Sequence, residues 1–103
     1  MRTYFTKSKY KEETLYHPNK QLLINTIISR DWRAAAKLVR NDEMYSKIPD
    51  VHDNLPIHLV VKYGGTKELL NLLLHAYPEC IKIRDPNGNL PGKQKHFNRI
   101  IEQ

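Results

Sequence analysis

A short motif that occurs twice, Asp-x-x-x-Asn-Leu-Pro, constrains the fold of this chain more than any other feature. The stretch DVHDNLPIHLVVKYGG begins at Asp50, and the stretch DPNGNLPGKQKHFNRI begins 35 residues later at Asp85. A fixed period of about 20–50 residues is typical of repeat proteins, in which each small unit buries its apolar face only by packing on its neighbours. The sequence therefore predicts a repeat architecture.

Two helices are predicted between the two motifs. Pro56 begins the first, because proline is tolerated at the first helical position, and Gly64-Gly65 ends it, because glycine readily adopts the left-handed conformation that terminates helices. Thr66 is the predicted N-cap of the second helix, whose leucines follow helical spacing until Pro78 stops it. One unit is therefore a turn, a short helix, a tight loop, a longer helix and an extended loop.

A weaker copy of this pattern precedes residue 50, and a partial copy follows residue 84. QLLINTIISRDWRAAAKLVRND has two apolar stripes separated by a break before Trp32, which predicts another helix–loop–helix. After Pro91 the sequence turns polar, and only Phe97, Ile100 and Ile101 keep an apolar stripe, as expected of a terminal repeat that faces water on its outer side. We divide the chain into an arm (1–18, flexible or partner-docking), a degenerate repeat (19–49), a full repeat (50–84) and a truncated capping repeat (85–103).

The full repeat resembles an ankyrin repeat. The pattern of that family runs Asp-x-x-Gly-x-Thr-Pro-Leu-His-x-Ala-Ala-x-x-Gly, and a leucine-rich helix follows. The matching or closely similar positions are Asp50, Pro56, Ile57, His58, Val61 and Gly64, with Asp85, Gly88 and Pro91 in the next copy. Asp53 replaces the turn glycine, and Leu55 replaces the threonine whose hydroxyl usually bonds the motif histidine. The resemblance implies an all-α, ankyrin-like stack of about two and a half helix–loop–helix repeats with a basic N-terminal arm.

The resemblance also implies a function in protein–protein interaction. Partners of ankyrin repeats usually contact the turn tips and the exposed face of the first helices. The corresponding residues here are Val51, His52, Asn54, Lys62, Tyr63, Asn87 and Asn89. Tyr63 and His52 are the leading candidates, because aromatic, partly polar side chains often dominate interfaces. The motif residues Pro56, His58, Gly64 and Pro91 are assigned structural roles, and the His58 imidazole is expected to tie the helix start to a neighbouring loop.

Catalytic and metal-binding patterns are weak in this sequence. The DVHD segment holds three potential ligands on one turn, but no second cluster completes a zinc site. The single cysteine, Cys80, has no His–acid arrangement to support a nucleophile, and we interpret it as buried apolar filler. Trp32 is interpreted as a packing residue, with an exposed binding anchor as the alternative. We expect no enzymatic activity, no cofactor, no metal and no small-molecule substrate.

The charge of the chain is concentrated at its ends. Of the net charge of +6, residues 1–20 carry +3 and residues 91–103 carry +2. In the arm, the candidate contact residues are Tyr4, Lys7, Lys9, Tyr10 and Lys11. Tyrosines interleaved with lysines suit a groove on a protein partner or stacking on nucleic-acid bases, and a solubilising tail is a third interpretation. The protein groove is favoured because the sequence contains no recognised RNA- or DNA-binding module.

The sequence as a whole predicts a non-catalytic interaction module, a small adaptor or structural subunit of a larger assembly. The alternative is a nucleic-acid or ribonucleoprotein accessory protein that binds through its basic ends. No apolar stretch is long enough to cross a bilayer, and the N-terminus lacks the apolar segment of a secretory signal. A single cysteine fits a reducing intracellular compartment, cytoplasmic or nuclear by default, with organelles left open.

Overall fold

The computed structural model describes residues 21–103, which form five α-helices joined by turns. The helices are α1 (Leu22–Ile28), α2 (Trp32–Asn41), α3 (Pro56–Tyr63), α4 (Lys67–Ala76) and α5 (Lys95–Ile101), and 3₁₀ turns lie at Glu43–Lys47, Pro78–Lys82 and Pro91–Lys93. No β-strand occurs in residues 21–103, so the predicted all-α class is confirmed. The arm residues Tyr4, Lys7, Lys9, Tyr10 and Lys11 lie outside the described residues.

The ends of the central helices follow the local signals in the sequence. Pro56 occupies the first turn of α3, and Gly64 ends this helix in the left-handed conformation with φ of 71° and ψ of 50°. The Thr66 side chain caps α4 by accepting a hydrogen bond of 3.2 Å from the Leu69 amide. Helix α2 begins at Trp32, after Asp31, whose carboxylate accepts from the amide of the third helical residue. These caps satisfy amide groups that the first turn of a helix leaves without intrahelical partners.

The helices pack in two rows. Helix α1 contacts α3 and α3 contacts α5, whereas α2 contacts α4 in the other row. The members of each helix pair, α1 with α2 and α3 with α4, also contact each other. The core lies between the rows, and its largest fully buried apolar side chains include Leu23, Ile27, Ile57, Leu69, Leu70, Leu73 and Ile100. Each side chain of this size stabilises the fold by about 1.5–3 kcal/mol when it is removed from water.

One close approach between the two helix pairs depends on Gly65. A Cβ atom at this position would lie 2.8 Å from Val60 Cγ1 and 3.2 Å from Trp32 Cζ3. Real Cβ atoms essentially never come as close as 2.8 Å to another heavy atom. The glycine therefore lets the Trp32 ring pack directly against the turn between α3 and α4.

The segment that begins at Pro91 is not a single helix like its counterpart α3. Pro91–Lys93 forms a 3₁₀ turn, Gln94 is extended, and α5 begins only at Lys95. A glycine inside a helix lowers helix stability by about 1 kcal/mol relative to alanine. Residues 92–93 are exposed, so burial does not offset this cost at Gly92. Of the three residues of the predicted apolar stripe, Ile100 is fully buried, Phe97 is half-buried and Ile101 is 41% exposed.

Candidate functional site

The two copies of the motif fold into the same turn, which we call the Asp turn. In the first copy, Asp50 Oδ1 accepts hydrogen bonds from the amides of His52 (2.9 Å) and Asn54 (2.8 Å). The Asp50 amide in turn donates to the Asn54 carbonyl oxygen at 2.9 Å. Asp and Asn favour such turns because their side chains bond the backbone a few residues on.

The second Asp turn repeats these contacts atom for atom. Asp85 Oδ1 accepts from the amides of Asn87 (2.9 Å) and Asn89 (2.8 Å), and the Asp85 amide donates to the Asn89 carbonyl oxygen at 2.9 Å. The fourth residue of each turn has a positive φ, 69° at Asp53 and 86° at Gly88. This left-handed conformation is easy for glycine, and Asp is one of the few other residues enriched there.

The His58 imidazole links the start of α3 to the segment that precedes the second Asp turn. Its Nδ1 accepts a hydrogen bond of 3.0 Å from the Leu55 amide, and its Nε2 lies 2.8 Å from the Ile83 carbonyl oxygen. A backbone amide can only donate, so the ring proton belongs on Nε2, which donates to Ile83. The ring is only 2% exposed. Leu55 thus bonds the motif histidine through its backbone amide.

A surface cleft of about 400 Å³ lies between the two Asp turns, and we call it the Asp-turn cleft. Its lining residues are His52, Asn54, His58, Lys62, Asp85, Pro86, Asn87, Asn89 and Gln94. Five of the seven residues predicted to contact a partner are among them: His52, Asn54, Lys62, Asn87 and Asn89. The tip of the first Asp turn adds Val51, which is 86% exposed.

No protein-family model, curated protein or solved structure matches this chain.

The chemistry of the Asp-turn cleft is dominated by amides and one lysine. Both carboxylate oxygens of Asp85 are engaged, since Oδ2 accepts from Gln94 Nε2 at 3.3 Å while Oδ1 accepts the two backbone bonds. Chiefly because the Asn89 amide bonds to the carboxylate, and with help from the Asn87 amide, the pKa of Asp85 is lower than the usual 3.8. Asp85 therefore stays ionised and holds the turn, and Lys62 is the exposed cation of the cleft.

Tyr63 does not join His52 in the cleft, although the sequence makes both of them leading anchors. The half-buried Tyr63 ring has the Arg30 guanidinium 5.2 Å from its centroid and Lys62 Nζ 5.9 Å from it. Cations at these distances from an aromatic ring are attracted to its π-face. Tyr63 therefore belongs to the surface around the turn between α1 and α2.

Two lining residues, Pro86 and Gln94, were missed by sequence reasoning. Gln94 occupies the repeat position of Leu59, which is buried in α3. Gln94 reaches the cleft because the backbone at this residue is extended between a 3₁₀ turn and α5. No local sequence signal indicates this break, apart from the low helix propensity of Gly92.

The described residues include few groups suited to other chemistry. In residues 21–103, no group of three or more His, Cys, Asp or Glu side chains is arranged to hold a metal ion. Cys80 is buried, and burial raises the pKa of its thiol to about 12, so the nucleophilic thiolate is not formed at neutral pH. No helix of the described region has the length and apolar character needed to span a membrane.

Proposed function

We propose that this chain is a protein–protein interaction module of the ankyrin-repeat kind, acting as a small adaptor or structural subunit of a larger assembly. The observation that carries the proposal is the Asp-turn cleft, where four candidate contact residues from two turns 35 residues apart lie beside a fifth, Lys62 of α3. In repeat proteins, successive units present equivalent side chains next to each other and so create an extended binding surface.

The packing of the helices supports an ankyrin-like stack of about two and a half repeats. The first helices of the units form one row and the second helices form the other, which is the arrangement expected when similar units stack. Two further features support the same proposal. The Asp turns share the hydrogen bonds of their Oδ1 atoms, and His58 ties the start of α3 to Ile83, which lies just before the second Asp turn.

The groups around the cleft suit a peptide partner better than a reaction. Asn87 and Asn89 carry exposed carboxamides, which both donate and accept hydrogen bonds and so match the groups of a polypeptide backbone. Exposed Val51 offers an apolar contact at the rim, and Lys62 orients an acidic group and raises the association rate. The His58 ring uses both of its nitrogens to hold the fold, so it is not available as a general base.

A pull-down from an extract of the source organism tests this proposal. The bait is the full chain with an affinity tag, compared with the double variant His52→Ala/Lys62→Ala. We expect proteins bound by the wild-type chain to be depleted at least tenfold on the double variant, because two exposed contact side chains are removed while the Asp turns keep their backbone bonds. Quantitative mass spectrometry measures the depletion, and circular dichroism checks that the variant is folded.

The matched control is His75→Ala/Lys82→Ala, which removes an exposed histidine and an exposed lysine outside the cleft. This control should retain the same proteins as the wild type. Equal recovery on wild type and on His52→Ala/Lys62→Ala contradicts the proposal. Recovery that disappears after nuclease treatment favours the nucleic-acid alternative instead.

A further inference from the structure

A second cleft, of about 620 Å³, lies beside the tight turns that join the helices within each pair. We call it the arginine cleft and define it by Arg30, Asp31, Trp32, Arg33, Arg40 and Glu68. These residues come from the α1–α2 turn, from α2 and from the first turn of α4. The cleft shares no lining residue with the Asp-turn cleft.

The local backbone holds two side chains of the arginine cleft in position. Arg30 has a positive φ of 59°, and its guanidinium lies 5.2 Å from the centroid of the Tyr63 ring. A non-glycine residue in this conformation is uncommon, and the ring contact further restricts a side chain that is otherwise long and mobile. Trp32 is half-buried because the missing Cβ of Gly65 allows its ring to pack against the turn.

Only some of the charged side chains in the arginine cleft have a partner of opposite charge or a hydrogen-bond donor. Asp31 Oδ1 accepts a hydrogen bond of 3.2 Å from the Ala34 amide, and Glu68 forms an ion pair with Arg40. Within residues 21–103, Arg30 and Arg33 have no carboxylate partner. Both are exposed. Two guanidinium groups beside a tryptophan are therefore available to an incoming anionic group.

We infer that the arginine cleft binds an acidic segment of a protein partner, in which Asp or Glu side chains flank an apolar side chain. This inference rests on the proposed interaction function and assigns a second surface to it. Arginine matches carboxylates through paired N–H donors, and Trp, Tyr and Arg are the residue types enriched among those that dominate protein interfaces. The cleft and its immediate neighbour Tyr63 contain all three types.

Charge favours a separate acidic peptide over the other candidate occupants. Residues 1–20 hold five Lys or Arg against two Glu, so the chain's own N-terminal segment has the same sign as the two available arginines. A nucleic-acid strand has a negative charge at every phosphate, and it would meet the carboxylates of Asp31 and Glu68 on the cleft wall. A peptide with a few spaced carboxylates can pair with Arg30 and Arg33 and avoid both acids.

The experiment combines peptide selection with fluorescence, since Trp32 is the single tryptophan of the chain and reports directly on the cleft. Twelve-residue peptides are selected from a random phage-displayed library on the full chain and then titrated while Trp32 emission is recorded. We expect selected peptides rich in Asp and Glu that change the emission saturably. Arg33→Gln should weaken their binding at least tenfold, and so should Arg30→Asn, which keeps a residue that tolerates a positive φ.

The control Arg99→Gln removes an exposed helical arginine from α5 and should change the affinity less than twofold. Selection of non-acidic peptides, unchanged affinity in Arg33→Gln, or tighter binding of a twelve-nucleotide oligothymidylate overturns the inference. Peptides that lose affinity only in His52→Ala/Lys62→Ala leave the proposed function standing and remove the arginine cleft from it. Peptides that are sensitive to neither variant count against both proposals.

Discussion

The two Asp turns share the hydrogen bonds made by their Oδ1 atoms and their backbone, yet the segments that follow them differ. After the turn at Asp50 comes α3, a helix of eight residues of which six are buried. After the turn at Asp85 come a 3₁₀ turn of three residues and α5, which has one buried residue. The Asp turn is therefore a local structure that forms from its own side-chain and backbone contacts. A helix follows the turn directly only where neighbouring elements bury that helix.

In this comparison, the largest loss in the free energy of unfolding should come from substitution of His58, which is present only in the first copy. His58→Ala leaves the Leu55 amide and the Ile83 carbonyl oxygen without partners and opens a cavity, so we expect a loss of about 2–4 kcal/mol in the free energy of unfolding. The corresponding position in the second copy is Lys93, which is exposed. Lys93→Ala should cost less than about 0.5 kcal/mol. Urea unfolding followed by circular dichroism measures both values.

Similar losses in the free energy of unfolding in His58→Ala and Lys93→Ala would mean that these two positions contribute equally to the stability of their copies. A second measurement separates the hydrogen bonds of His58 from its volume. His58→Leu fills most of the cavity but cannot bond Leu55 or Ile83, so any loss that it shares with His58→Ala belongs to the hydrogen bonds.

Substitution of the fourth residue of each Asp turn should change the free energy of unfolding by a smaller amount, and in opposite directions in the two copies. Gly88→Ala should cost about 1–2 kcal/mol, because φ is positive there and a side chain is strained in that conformation. A Cβ atom at Gly88 would have no atom within 4 Å apart from those of its chain neighbours, so the loss reports conformation alone. Asp53→Gly relieves the same strain and should stabilise the chain by less than about 1 kcal/mol. If both variants destabilise, Asp53 makes a contribution to the first turn beyond its backbone conformation.

The smallest effect should be a dependence of stability on acid pH that arises in the second turn. The folded-state pKa of Asp85 is lowered, so its contribution is present above the unfolded-state pKa, about 3.9, and is lost as the pH falls through the folded-state value. The wild-type free energy of unfolding should therefore decrease more between pH 5 and pH 2 than that of Asp85→Asn. Equal decreases in the two proteins would exclude Asp85 as a source of the acid sensitivity.

Local patterns in the sequence predicted the central part of the fold well. The proline start and glycine end of α3, the Thr66 cap of α4 and the start of α2 at Trp32 all agree with the structure. These features depend on the φ preference of one residue or on a hydrogen bond that spans three or four residues. The motif does not indicate that a 3₁₀ turn rather than an α-helix follows Leu90, because the competition between the low helix propensity of Gly92 and burial is not visible in it.

The candidate sites were predictable only in part. The resemblance to an ankyrin repeat implied the turn residues of the Asp-turn cleft, but it did not imply the placement of Tyr63 beside Arg30. The arginine cleft cannot be predicted from the sequence, which only offers Trp32 as a possible exposed anchor. Arg40 and Glu68 are 28 positions apart, and no pattern in either helix indicates that they meet.

The sequence by itself determined the Asp turns, the helix ends and the all-α class, because each of these follows from preferences within a few consecutive residues. Only the tertiary structure decided which side chains share a cleft. The His58–Ile83 bond spans 25 residues, and the bond from Gln103 Nε2 to the Gly65 carbonyl oxygen spans 38. Such contacts form when whole helices pack in rows, and that packing depends on how all the buried side chains fit together at once.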